Sequence, residues 1–362
     1  MRAIATLTAC ETFSCNGLPW PRPMLRHLRR LSDECGIIQH ARFCCPDYAT
    51  GYCSDDNSRA LIAVTRYHRW QPDDVAEELM LRYLAFLHYT QHADGYMRNF
   101  VSYGRTFLDT HGSQDCQGQT LWALGEASAD AREAIAHLSA EMLRNMLPHI
   151  LPDFAPHALA YALLGLCAHA HYDAPYAQHA ARPLADALRE HYLRERAPGW
   201  DWFLPILTYA NARLPQALLN AGQMLADESL LKIGFTTLDF LRRETFRDGR
   251  FTPVGCHGWY RRGQARAEFD QQPIDAGAMV EACLTAYQLT HAAKYEEDAL
   301  RAMGWFYGGN VHGVSLYDPL SGGCHDGLQL EGVNANQGAE STIVHLLAQL
   351  ATVKHREDLL LG

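Results

Sequence analysis

The sequence has no run of 18 apolar residues, so nothing in it reads as a membrane span. It has no CxxC pair in zinc-ribbon spacing, and only Cys44 and Cys45 are adjacent. Its 11 cysteines, an odd set scattered from Cys10 to Cys324, read as reduced thiols of a cytoplasmic protein. Positive charge is in short supply. Lys+Arg total 31 against 41 Asp+Glu, a net charge of −10, which argues against a nucleic-acid partner because phosphate binding needs a basic face. The one basic run, RHLRR at Arg26 to Arg30, reads as a solvated helix face. Strand-like alternation is scarce, with short strands expected only near Arg250 to Tyr260 and Gly313 to Tyr317. No Pro/Ser-rich linker or break in composition divides the chain. The start, MRAIATLTACETFSC, is too weakly apolar for a signal peptide.

What is present is helix after helix. Apolar residues make up 48% of the chain, enough for a full core. Ala, Leu, Arg and Glu dominate long stretches with apolar residues at i, i+3, i+4 spacing, as in Asp73 to Gln91 and Ala129 to Ile150. Helices come in pairs. In about five pairs a polar cluster precedes an Ala- and Leu-rich helix, and a more charged helix follows. The clusters are Gly51–Arg59, Ser113–Gln119, Trp200–Arg213, Asp270–Gly277 and Asn334–Thr342. An apolar helix packed on both sides and a charged helix with one wet face alternate in an (α/α)6 toroid of helical hairpins. The expectation is therefore all-α: one domain over 1–362, with an N-terminal arm and first outer helix in 1–50. In a toroid the inner-helix N-termini converge at one mouth, which would gather the clusters into a single site.

Carboxylates, amides and aromatics together suit a neutral sugar: rings stack on its apolar face, and amides and carboxylates bond its hydroxyls. Glycosidic cleavage needs two carboxyl groups flanking the bond. The catalytic candidates are Asp56, Glu340, Asp115, Asp275 and Asp201. A helix N-terminus favours the charged form of a carboxylate, so Asp56, Asp201 and Asp275 are expected to serve as base or hydroxyl acceptor rather than acid. Trp200, Trp202, Tyr209 and Tyr317 are expected to stack on sugar rings. Asp55, Asn57, Arg59, Asn211, Gln271, Gln272, Asp326, Asn336 and Gln337 are expected to bond hydroxyls, with Arg59 also placed to pair with Asp55 or Asp56. Any one Asp before a helix is most often only an N-cap, and recurrence across hairpins is what favours the functional reading. Two Cys-His pairs, Cys256-His257 and Cys324-His325 followed by Asp326, offer zinc-type ligands; neighbours of this kind also arise by coincidence among 19 His and 11 Cys, and no obligatory metal or cofactor is expected.

TGYCSDDNSRALIA, WDWFLPILTYANARLPQALL and LYDPLSGGCHDGL…VNANQGAESTIVHLLA resemble a bacterial glycosidase-like domain of the six-hairpin glycosidase superfamily. The resemblance runs from about Leu25 to His355. It implies the toroid, an oligosaccharide substrate, and a glycosyltransferase of the same pathway as partner, because such domains are often fused to or encoded beside one. Adjacent Asp-Asp also occurs in the related endo-α-mannanases. The reaction expected is glycoside hydrolysis by carboxylate acid–base catalysis. Two alternatives use the same fold: a sugar 2-epimerase or isomerase, for which His257, His325 and His345 are the candidates, and a non-catalytic glycan-binding toroid.

Overall fold

In the computed structural model, residues 12–15, 18–130 and 132–361 are described. The reading of the first residues as lacking a signal peptide falls mostly outside them. Twelve α-helices stand among the described residues. Six form an inner ring: α2 (Ser54–Trp70), α4 (Gln114–Ser128), α6 (Pro156–His169), α8 (Arg213–Met224), α10 (Pro273–Thr290) and α12 (Ala339–Leu361). Each packs on the next, and α12 packs back on α2, which closes the ring. Between them in the chain run α3 (Asp74–Thr90), α5 (Glu133–Met146), α7 (Ala174–Glu195), α9 (Glu228–Thr245) and α11 (Ala293–Trp305), each packed on the inner helix before it. The short α1 (Arg26–Leu31), which contains the basic run, covers α12.

The two helix classes differ as their composition dictates. α4 buries all but its first two residues, as a helix enclosed on every side must, whereas α5 buries one stripe of Ile135, Ala136, Ser139, Ala140, Met142, Leu143 and Met146. Three of the five intervening helices, α3, α7 and α9, begin directly after an aspartate cap. Asp73, Asp173 and Asp227 accept from backbone N–H groups of the first turn. α6, α8 and α10 have no side-chain cap, and Pro opens α6 and α10.

Small residues let the inner helices touch. A Cβ on Gly125 of α4 would lie 2.0 Å from the Gly165 carbonyl oxygen of α6. Gly125→Ala is therefore expected to destabilise by about 1–3 kcal/mol through overpacking, read from the denaturant midpoint. Strand pairs are short and confined to connections, such as Arg250–Phe251 with Phe246–Arg247 and Tyr260–Arg261 with Ile206–Leu207. Near Gly313 to Tyr317 only isolated bridges form, and the hairpin lies later, at Gly327–Gln329 and Gly332–Asn334. No described helix is long and apolar enough to cross a membrane.

An ionic network occupies the ring interior. Glu281 of α10 accepts from Arg66 of α2 and Arg213 of α8, each at 2.7 Å. Arg66 also pairs with Glu126 of α4, and Arg213 donates to Gln216 at 2.7 Å and lies 4.7 Å from the Trp122 ring centroid. Four helices are thereby tied together below the mouth.

Candidate active site

The first turns of the inner helices meet through their side chains. Arg59 of α2 is the hub. It donates to Asp56 at 2.9 Å and to Gln119 of α4 at 2.9 Å, and pairs with Glu340 of α12 at 3.1 Å. The Cys53 thiol, at the N-cap of α2, donates to Asp56 Oδ2 at 3.1 Å. Asp55 accepts from Asn99 at 2.9 Å. Asp115 of α4 accepts from the Tyr209 hydroxyl at 2.5 Å. Tyr209 is stacked on His157 of α6, with centroids 4.7 Å apart, and Trp259 lies 6.3 Å from Tyr209. Asn211, just before α8, reaches Asp275 of α10 at 3.5 Å. All six inner helices thus contribute to one mouth, and Asp56, Asp115, Asp275, Glu340, Asp55, Arg59, Tyr209 and Asn211 are there.

The carboxyl groups differ in charge state. Burial pushes Asp275 up to about 8, with the nearby Glu340 charge adding to it and hydrogen bonds from the Asn211 region opposing it. Its Oδ2 is buried without a hydrogen-bond partner among the described residues. Leu241, Phe251, Val254 and Met279 line a small cavity beside it. The expectation that a helix N-terminus would hold Asp275 ionised is therefore overturned, because desolvation by this apolar wall outweighs the helix dipole. Burial also pushes Asp55 up to about 6, against the pull of Arg59 and Asn99. Burial raises Glu340, against the pull of Arg59 and with Asp56 and Asp326 adding to the rise. Arg59 stays charged: its carboxylate neighbours outweigh the cost of burial.

Several expected site residues serve the scaffold instead. Trp200 and Trp202 are 3% and 0% exposed and pack on Phe240 in the core. Tyr317 is buried against Tyr307 and His345. Asp201 stands at the outer wall beside Arg243 of α9 and Tyr192 of α7. The reason is local: α8 starts at Arg213, at the far end of the cluster, so the aromatic residues at its beginning form a loop that folds inward. Asn57 bonds the Ile37 N–H and the Cys53 carbonyl, and Gln271 joins Trp305 to the Glu268 carbonyl. Gln337 bridges Ser321 and Asp318, Asn336 accepts from the Phe43 N–H, and Asp326 accepts from the Gly338 N–H at the start of α12. These side chains brace loops and leave few groups for a sugar. Gln272, half-buried, immediately precedes α10.

The histidines also resolve. His345, on α12 itself, is buried and shares a hydrogen bond of 2.8 Å with the Tyr307 hydroxyl, and burial lowers it to about 3. His257 is exposed on a loop, and His325 is half-buried. Cys256 and Cys324 lie on separate loops, and among the described residues no group of three or more His, Cys, Asp or Glu is placed to hold a metal ion. His157 and Trp259 are the additions that sequence reasoning missed. α6 follows FAP rather than a polar cluster, so its contribution to the mouth carried no signal.

No family model and no curated protein matches the chain. Solved structures do. A D-mannose isomerase superposes with a TM-score of 0.71 at 12% identity, covering 91% of this chain and 95% of that one. The cellobiose 2-epimerase of Spirochaeta thermophila DSM 6192 gives 0.71 at 13%, covering 92% and 93%. A GH76 alpha-mannanase of Bacteroides thetaiotaomicron gives 0.58 at 12%, covering 86% and 88%. The chain is an (α/α)6 toroid. At these identities the likeness establishes the fold, and the chemistry rests on the toroid's own mouth.

Proposed function

We propose that the mouth is the active site of an enzyme that moves protons on a neutral sugar. The observation that carries this reading is the pair of carboxyl groups on the first turns of α10 and α2, Asp275 at about 8 and Asp55 at about 6, the first facing Glu340 and the second Arg59 of the same ion pair. At neutral pH the first is a proton donor and the second an acceptor. Two reactions draw on such a pair. Isomerisation or 2-epimerisation removes the proton from the carbon beside the sugar carbonyl and returns one to the neighbouring carbon or the opposite face. Arg59 would stabilise the negative oxygen formed between the two steps. Glycosidic cleavage instead protonates the leaving oxygen and activates a nucleophile.

The toroids with TM-scores of 0.71, an isomerase and a 2-epimerase, support the first reaction. The alpha-mannanase, at 0.58, and the abundance of carboxyls support the second. We place isomerisation or epimerisation first, ahead of the hydrolysis that the carboxylate pattern alone suggests. We take carboxyl groups as the proton carriers, since His257 is exposed on a loop and His345 is buried against Tyr307, with His325 and the mouth's His157 as the imidazole alternatives.

Incubation in D2O with mannose, cellobiose and α-1,6-mannohexaose separates the two. Deuterium at C2 of a new epimer, or at C1 of a new ketose, is expected for the first reaction; new reducing ends without exchange at either carbon would transfer the assignment to a hydrolase. Sugar binding without any turnover would leave a glycan-binding toroid. Turnover should rise as pH passes about 6, where Asp55 ionises, and fall as it passes about 8, where Asp275 loses its proton. A flat pH–rate profile from 5 to 9 would exclude these two groups as the proton carriers.

A further inference from the structure

Three large apolar side chains stand in water on the connections that feed the mouth. Phe43 is 62% exposed, and Tyr48 and Tyr103 are each 50% exposed. The two tyrosines pair, with centroids 4.8 Å apart at 37°. Tyr103 lies over the buried Tyr52 ring at 6.2 Å and 18°, and Tyr52 is pinned by its hydroxyl bond to Asp33 at 2.6 Å. The pair is therefore held from beneath with its outer side open. Phe43 has a positive φ of 55°, a conformation that a bulky residue adopts only against a steric cost. Its backbone is clamped in that shape by Asn336 and Gln337, at 2.9 Å each. A strained phenylalanine that gains no burial is locally unfavourable, and such violations concentrate at functional surfaces.

These rings lie close to the carboxyl groups. Asn99, which donates to Asp55, is four residues from Tyr103, a span of at most ~14 Å. Gln337, bonded to the Phe43 carbonyl, is three residues from Glu340, at most ~11 Å. The open area is small. An aromatic side chain offers 150–250 Å² when fully buried, so the half-exposed tyrosine pair presents roughly 200 Å², and Phe43, five residues from Tyr48 and so at most ~18 Å away along the chain, adds roughly 100 Å². A stable protein partner needs about 800 Å² per side. Flat, fixed rings of this extent beside a sugar site suit the apolar faces of pyranose rings.

We propose that Phe43, Tyr48 and Tyr103 form a stacking platform for the distal rings of an oligosaccharide whose reacting unit lies among the carboxyls. The inference rests on the carbohydrate reading and narrows its substrate class from a free monosaccharide to a chain of several units.

Calorimetric titration of the full chain tests it with two short probes, mannose and cellobiose, and two long ones, α-1,6-mannohexaose and cellohexaose. One hexaose is expected to bind about tenfold tighter than its short counterpart. Tyr103→Ala should remove that advantage while leaving the short sugar's affinity unchanged, and Tyr103→Phe, which keeps the ring, should retain it. Equal affinity for short and long sugars, or no effect of Tyr103→Ala on the hexaose, would overturn the platform and leave the carbohydrate reading standing. Failure of all four probes to bind would overturn both.

Discussion

Glu281→Ala is expected to cost about 3–5 kcal/mol of stability, the loss typical of breaking a buried ion pair from one side. Glu281 is buried and accepts from two guanidiniums at 2.7 Å. Without it, Arg66 keeps Glu126, but Arg213 is left with Gln216 and the face of Trp122. Two positive groups would then face each other inside the ring. Burial pushes the Glu281 carboxyl up, but Arg213 and Arg66 outweigh it and hold it down at about 2. The sign follows: its stabilisation is complete above the ordinary carboxyl range and is lost as pH falls through about 2. Urea unfolding at pH 7 measures the cost, and a loss below about 1 kcal/mol would show that the network is not coupled in this way. Replacing both Glu281 and Arg213 by methionine is expected to recover part of the loss, since apolar isosteres avoid desolvated charge altogether.

Asp275→Asn is expected to lower turnover by about 10²–10⁴, the usual contribution of a positioned general acid. The same change should stabilise the fold. An aspartate raised to about 8 in the native state binds a proton that the unfolded chain has already released, so wild-type stability declines as pH rises from about 4 to about 8. Asparagine carries no such dependence. The variant's advantage in thermal midpoint should therefore be absent near pH 4, grow with pH and level off above about 8. Lost activity with unchanged stability at pH 8 would mean that Asp275 is not held protonated by the fold. Full activity in the variant would remove it from the mechanism. Few scaffold residues would show gain in one property and loss in the other.

The all-α reading, the alternation of enclosed and half-wet helices and five of the six mouth contributions were legible in the sequence, because burial on all sides demands Ala- and Leu-rich helices. Asp56, Asp115, Asp275 and Glu340 were found for the same reason: polar residues opening an apolar helix have few places to go except the mouth. What failed was the distance of some candidates from the helix start and the direction of side chains. Trp200 and Asp201 were assigned to a helix entry that begins a dozen residues later, at Arg213. Asn57 and Gln337 share the mouth's chemistry, but Asn57 points into backbone groups and Gln337 into the Ser321 and Asp318 side chains, which no spacing rule reveals. His157 follows an apolar segment and is tied to the mouth only through its stack on Tyr209 from the next hairpin. Charge state was the least legible property, since Asp275 owes its proton to Leu241, Phe251, Val254 and Met279, from three separate elements and the loop beside them.

The bridge from Arg59 to Glu340 joins the first inner helix to the last. A chain emerging from the ribosome therefore holds Arg59 and Asp56 for most of its synthesis with one of their partners not yet made. The earlier hairpins can fold on neighbour contacts, but the seam between α2 and α12 forms only when the final helix arrives. If the mouth is the active site proposed above, chemistry can begin only with that event, and an unfinished polypeptide is catalytically silent. It also makes the seam the place where a slow, late phase of refolding is expected to coincide with the return of activity.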